Sequence, residues 1–160
     1  MGGASLTPMV LIALVALLVS AGIQDARTRE IGNGKNIAIA LLAPVWWWIN
    51  GLSPWPDMGL QLGIAMLVFA AFVAAFHFGW MGGGDVKMIG ALALWLPLQP
   101  LVSMLILMSL FGGVLTLLML VDRAVRRRSA PIEVPYGVAI AIATLFVLRE
   151  PLFNHLGGNA

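Results

Sequence analysis

Long apolar stretches dominate the chain, and short polar segments separate them. A helix of about 20 residues crosses the roughly 30 Å hydrocarbon core of a bilayer, so stretches near this length predict transmembrane helices. Five clear stretches are predicted, at Leu6–Gln24, Asn36–Leu52, Met58–Trp80, Leu98–Val121 and Val138–Leu148.

A further apolar segment, Val86–Leu96, is ambiguous. It has only 11 residues and contains Lys87. At about 1.5 Å per residue such a helix falls short of a 30 Å core unless flanking residues help. The pattern alone leaves open whether the segment crosses the membrane or re-enters on the same side.

The placement of the basic residues distinguishes these two alternatives. If the segment crosses, the loops 25–35, 81–87 and 122–134 share one side and hold eight of the nine Lys and Arg residues. If it does not cross, the split becomes five against four. Because Lys and Arg concentrate on the cytoplasmic side, crossing is favoured. The sequence therefore predicts an all-α, polytopic integral membrane protein with about six transmembrane helices, one domain over residues 1–160, and both termini outside.

Composition supports the membrane assignment. Hydrophobic residues make up 61% of the chain and charged residues only 10%, whereas soluble domains carry roughly 25% charged residues. The absence of cysteine excludes a disulfide framework and a thiolate zinc site. With His77 and His155 as the only histidines, neither a metal site nor another cofactor is predicted. Membrane lipids are expected partners, and nucleic acid is not.

Two aspartates stand at predicted span ends. Asp25 follows the first span, and Asp85 closes the run Gly82-Gly83-Gly84. Either one alone is most simply a juxtamembrane charge or a helix cap. The predicted topology, however, puts both at the cytoplasmic membrane edge, and a charge at membrane depth costs roughly 2.5–3.5 kcal/mol. The pair is therefore a candidate catalytic site, since two carboxyls that share a proton can activate water and protonate a leaving amine.

Residues around this pair are candidates for substrate binding. Gly82, Gly83 and Gly84 let a substrate strand approach the backbone closely. Lys87 could contact the substrate backbone, although a lysine at this position can also snorkel to the interface. The run Trp46-Trp47-Trp48, together with Trp55, predicts an outer aromatic belt.

The two aspartates are expected to differ in acidity. Asp85 is predicted to cap the N-terminus of a helix, whose partial positive charge favours the anion. Asp25 is predicted at a helix C-terminus, whose partial negative charge disfavours it. The hypothesis is that Asp85 is the base and that Asp25 holds the shared proton.

The flanking residues resemble a known family. The run Gly82-Gly-Gly-Asp-Val-Lys87 resembles the GxGD signature of intramembrane aspartyl proteases, and more specifically that of the type IV prepilin peptidases. In that family the first Asp heads an Asp-x-Arg-x-x-x-Ile-Pro-Asn stretch. Gly32 departs from this stretch, where the family usually has Pro. The matching residues are Asp25, Arg27, Thr28, Ile31 and Asn33, and the segment from Val134 to Ala141 resembles the Pro-Tyr-Gly run that opens the family's last span.

The resemblance covers about residues 6–150 and is to the small form that accompanies Flp/Tad pili. It implies that Asp25 and Asp85 cleave the leader of type IV or Flp-type pilin precursors at the cytoplasmic face of the inner (plasma) membrane. Prepilins and the pilus-assembly machinery are the partners implied. A different interpretation stays open, in which a small transporter or pilus-assembly subunit uses the two acids to bind protons or cations.

Overall fold

The computed structural model describes residues 3–126 and 134–157. Arg127 and Arg128, which were counted with the basic loops, lie outside these residues. The described chain is helical, without strands in these two ranges. In chain order its elements are α1 (Gly3–Thr28), α2 (Asn33–Ile49), a π-helical turn (Pro54–Met58), α3 (Gly59–His77), α4 (Gly83–Ala93), α5 (Leu98–Arg126) and α6 (Tyr136–Gly157).

The predicted all-α membrane fold is confirmed. Among the residues that the structure describes, three helical segments are long and apolar enough to cross a membrane: Leu6–Thr28, Pro54–His77 and Leu98–Arg126. The helices α2 and α4 are shorter, and α6 contains the shorter apolar segment Tyr136–Arg149.

At their C-terminal ends α1 and α5 extend beyond the apolar stretches that predicted them, and so does α6, which continues past Leu148 to Gly157. α1 continues through Asp25 to Thr28, and α5 continues from Val121 to Arg126. Basic residues stand in the last turn of α1 and of α5, where a positive charge complements the exposed carbonyl groups. The charged residues near 25 and 123 therefore belong to helix ends and not to loops.

The short helix α4 lies at the centre of the bundle. It packs against α2, α3 and α6, while α1 packs on α2 and α6, and α5 packs on α6. Most side chains of α4 are buried, in contrast to α3, whose buried residues are Gln61 and Ala65. The fully buried side chains of the bundle include Leu14, Leu18, Ile39, Met88, Ile89 and Leu92.

Side chains from α2 and α3 cap the C-terminal end of α4. Trp47 Nε1 donates to the Leu94 carbonyl at 2.8 Å, and Gln61 Nε2 donates to the carbonyls of Ala93 and Leu96 at 2.7 Å each. The last carbonyls of a helix have no partner within it, and lipid offers no water to replace one. These bonds explain how an 11-residue helix can end inside an apolar bundle.

The same contacts show how far α4 extends along α2. Asn36 Nδ2 donates to the Gly84 carbonyl at 3.1 Å near the start of both helices, and Trp47 meets Leu94 at the other end. Because Trp47 is two residues from the end of α2, α4 with its following turn extends almost as far as α2 does. The segment 86–96 thus runs beside α2 over nearly the full length of α2.

The three consecutive tryptophans, Trp46, Trp47 and Trp48, have different roles in the structure. Trp47 is buried and caps α4, and Trp46 packs against the Trp95 ring at a centroid distance of 5.6 Å. Trp48 is 82% exposed, as an interfacial aromatic residue would be. The belt prediction is therefore wrong for Trp47.

Replacing Gln61 by leucine is expected to lower stability. The change removes both amide bonds and leaves two carbonyls of the α4 end without these partners, at a cost of about 1–3 kcal/mol. Thermal unfolding in detergent, followed by circular dichroism, measures the effect. Gln99→Leu on the exposed start of α5 is the matched control. Equal melting temperatures for the two variants would contradict this account of the cap.

Candidate active site

Asp25 lies in the last turn of α1 and is only 4% exposed. The helix ends where the Arg29 N–H donates to the Asp25 carbonyl at 2.9 Å. Arg29 has a φ of 58°, in the left-handed region that non-glycine residues rarely adopt. This turn reverses the chain, so that Ile31 is buried beside the aspartate.

The carboxylate of Asp25 lies at the N-terminus of a second helix, α6. Its Oδ2 accepts a hydrogen bond from the Val138 N–H at 3.2 Å, and the Gly137 N–H also points to it. Since α6 begins at Tyr136, these N–H groups belong to its first turn, where a helix leaves N–H groups without full partners. The Val138 N–H is shared between Asp25 and the Pro135 carbonyl, which it also meets at 3.2 Å. Such a helix end favours a bound anion.

Asp85 lies in the first turn of α4 and is 9% exposed. It is the third residue of the helix and not its N-cap, which is Gly82. Its carboxylate reaches back to the Gly82 N–H, as the third residue does in a capping box. The predicted N-cap position is therefore wrong, although the expected neighbourhood of a helix N-terminus is correct.

Ile31 brings the loops of the two aspartates together. A Cβ on Gly84 would stand 3.2 Å from the Cβ of Ile31 and 3.3 Å from its backbone nitrogen. A Cβ on Gly137 would stand 2.6 Å from Ile31 Cδ1 and 2.9 Å from the Cγ of Asp25. A side chain at Gly84 would press on the backbone of Ile31, and one at Gly137 would displace the side chains of Ile31 and Asp25, so both positions need glycine for close approach.

Both carboxylates line one pocket of about 230 Å³. A water molecule occupies about 30 Å³ in the liquid, so the pocket has room for several waters or for a short extended peptide segment. Two carboxylates facing one such pocket resist simultaneous ionisation, which favours a shared proton. The pocket is lined by Asp25, Arg29, Glu30, Ile31, Gly82, Gly83, Gly84 and Asp85.

The structure separates the predicted substrate-binding residues into two groups. Gly82, Gly83 and Gly84 line the aspartate pocket. Lys87 does not; it lines a different groove, and its Nζ donates to Asn33 Oδ1 at 2.8 Å. Within the described ranges, no group of three or more His, Asp or Glu side chains is arranged to hold a metal ion.

Gly32 keeps the backbone conformation of the residue it replaces in the resembling motif. It is the N-cap of α2, with φ −61° and ψ 132°. Proline fixes φ near −65°, so the two residues are compatible with the same turn. Glycine at this position therefore adopts a turn that proline would also fit, and its N–H donates to Gln24 Oε1 at 3.4 Å, a bond that proline could not form.

The helix positions behind the proton hypothesis are as expected, but the hypothesis omitted α6. Asp25 is at a C-terminus of its own helix and Asp85 at an N-terminus. The bond from Val138 adds an N-terminus to the surroundings of Asp25 and opposes the effect of α1. Sequence reasoning missed Val138 and Gly137, although the Pro-Tyr-Gly run marked the start of this helix.

A comparison with known protein families finds one match. A family model described as the type IV leader peptidase family matches residues 12–117, a region that contains both aspartates and the three glycines. This region is well over half of the chain. No curated protein and no solved structure matches the chain.

Proposed function

The chain belongs to the type IV leader peptidase family, and from this premise we propose that it is an aspartic-type prepilin leader peptidase. It removes the N-terminal leader of type IV or Flp-type pilin precursors. The observation that carries the proposal is the pair of buried carboxylates, Asp25 and Asp85, which come from distant parts of the sequence and line one pocket.

The pair performs peptide hydrolysis by general acid and base catalysis. The ionised carboxylate takes a proton from water, and the hydroxide equivalent attacks the scissile carbonyl. The protonated carboxyl donates its proton to the carbonyl oxygen as the tetrahedral intermediate forms. When the C–N bond breaks, the proton taken from water passes to the leaving amine, and the other carboxylate takes a proton back from a hydroxyl of the tetrahedral intermediate as the new carboxylic acid forms. Both carboxyls thus regain their starting states.

The surroundings of the two acids suggest which one starts as the anion. Asp25 accepts hydrogen bonds from the N–H groups of Val138 and Gly137, whereas Asp85 accepts one from Gly82, so a negative charge is better stabilised on Asp25. We therefore assign the base to Asp25 and the acid to Asp85, the reverse of the assignment made from each residue's own helix. Because the two groups titrate together, the assignment describes the favoured arrangement of one shared proton.

The charge pattern supports a cytoplasmic active site in the inner membrane. Arg27, Arg29 and Lys35 lie at the same end of the bundle as Asp25, and Arg123 and Arg126 end α5. Cytoplasmic segments of membrane proteins are rich in Lys and Arg. A precursor with its leader in the cytoplasm and its apolar segment in the bilayer presents the bond between them at this level.

Reconstitution tests the proposal against a transport function. The purified protein in liposomes is incubated with a prepilin encoded in the same genome, and cleavage is followed by gel shift and mass spectrometry. A pH-sensitive dye inside the same liposomes reports proton flux. We expect a single cleavage at the leader boundary and no flux. Flux without cleavage would replace the peptidase proposal with the transporter.

A further inference from the structure

A second cavity of about 380 Å³ lies over α4, between α2 and α3. We call it the α4 groove. Its apolar part is formed by Ile37, Ala40, Phe69, Gly90, Ala91 and Leu94, and its polar end by Asn33, Asn36 and Lys87. Ile37 and Phe69 are exposed on the outer surface, so the groove opens toward the lipid.

The groove and the aspartate pocket lie on opposite faces of α4. Successive helical residues are about 100° apart, which puts Lys87, Ala91 and Leu94 roughly 120–180° around the helix axis from Asp85. Asp85 faces the buried side, and the other three face the groove. A ligand in the groove can therefore reach the aspartates only around the N-terminal end of α4, where Gly82, Gly83 and Gly84 carry no side chains.

Asn36 links the two sites at that end. It is 3% exposed, and its Nδ2 donates to the carbonyl of Gly84, which lines the aspartate pocket. Its Oδ1 is a buried acceptor without a hydrogen-bond partner. Lys87, on the same rim, is bonded to the neutral amide of Asn33, and no ion pair with a carboxylate is present for it among the described residues. The rim thus has a free acceptor and an unneutralised cation.

We propose that the α4 groove seats the apolar segment of the substrate, whose chain then passes over Gly82–Gly84 to the aspartate pair. The inference rests on the proposed function and adds a substrate-binding site to it. An apolar helix fits an apolar groove by burying one face. Its first N–H groups have no partner within the helix, and Asn36 Oδ1 offers them an acceptor. Lys87 offers a donor to the carbonyl groups of the extended segment that precedes the helix.

The path between the sites sets a length for the extended part of the substrate. An α-helix backbone with its side chains is about 10 Å across, and an extended chain covers about 3.3 Å per residue. About three residues therefore cross the end of α4 between the scissile bond and the first helical turn in the groove. The glycine run serves this crossing by leaving the backbone of α4 accessible.

The natural absence of cysteine allows a direct crosslinking test. Ile37→Cys and Phe69→Cys in the groove are compared with Leu67→Cys, which is exposed on another face of α3. Each is combined with Asp85→Asn, reconstituted with a prepilin that carries one cysteine in its apolar segment, and oxidised. We expect disulfide-linked complexes for the two groove variants and none for Leu67→Cys. Equal crosslinking of Leu67→Cys, or none in the groove, overturns the proposal.

A kinetic test uses steric filling of the groove. Ala40→Trp is expected to raise KM for the intact precursor by roughly tenfold, which corresponds to about 1.4 kcal/mol of lost binding. Ala71→Trp on the exposed side of α3 is the control and leaves KM unchanged. If Ala40→Trp cleaves the precursor with an unaltered KM, the proposal that the groove binds the substrate is wrong, while the peptidase function stands. Crosslinks in the groove without cleavage by the wild type contradict the peptidase function but keep the binding site.

Discussion

Asp25→Asn and Asp85→Asn are each expected to reduce prepilin cleavage by roughly 10³-fold or more, within the range that general acid and base groups contribute. Asparagine has nearly the shape of aspartate, and its amide oxygen can still accept the bond that the Val138 N–H gives to Asp25. It cannot take a proton from water or donate one to the carbonyl oxygen. Initial rates with reconstituted protein and saturating prepilin measure the loss.

Asp122→Asn is the matched control for these two variants. Asp122 is exposed near the end of α5 and pairs with Arg126 on the same helix. It lies outside the aspartate pocket, so its replacement is expected to leave the rate unchanged. Full activity in either Asp25→Asn or Asp85→Asn would rule out the two-carboxylate mechanism.

Gly137→Ala is expected to lower kcat by roughly 10²-fold, the order of loss that a displacement of about 1 Å can cause in a catalytic group. The new Cβ would stand 2.9 Å from Cγ and Oδ2 of Asp25, closer than carbon and carboxylate atoms pack. Because the Asp25 side chain can rotate away, the carboxylate moves and loses its bond from Val138, while the helices keep their places. The rate is measured with the same prepilin assay.

Gly113→Ala is the control for Gly137→Ala, because it shows what replacing a helical glycine by alanine does away from Asp25. Gly113 has open space at the position of a Cβ, and its replacement is expected to preserve both the rate and the melting temperature. Gly137→Ala should also unfold within a few degrees of the wild type. A normal rate in Gly137→Ala would show that the position of the Asp25 carboxylate against α6 is not important for the reaction.

The apolar stretches predicted the helices well because lipid contact and burial both require apolar side chains. They could not locate helix ends, since a helix can carry charged residues past the end of its apolar part, as α1 does to Thr28 and α5 to Arg126. They also could not separate Trp47 from Trp48. Both are tryptophans in one run, and only the position of α4 decides that the first caps its carbonyl end while the second is exposed.

The local sequence predicted the residues of the candidate site but not their contacts with distant parts of the chain. Asp25, Asp85 and the three glycines carry a recognisable pattern, and they line one pocket. The contact of Asp25 with Gly137 and Val138 joins residues more than 110 positions apart, so it depends on how α6 packs against α1. The opposite facing of Lys87 and Asp85 follows from the 100° step of a helix, once the helix is known to begin before Asp85.

The unequal lengths of the helices affect the surrounding bilayer. At about 1.5 Å per residue α4 is about 16 Å long and α2 about 26 Å, beside α5 of about 43 Å. The bilayer becomes thinner next to short helices, at a cost of fractions of a kcal/mol per Å of hydrophobic mismatch. Thinning beside α2, against which α4 packs, lowers the headgroup layer toward Asp85. Water and the polar backbone of an unwound substrate then reach the carboxylates through a shorter hydrocarbon path than the rest of the membrane presents.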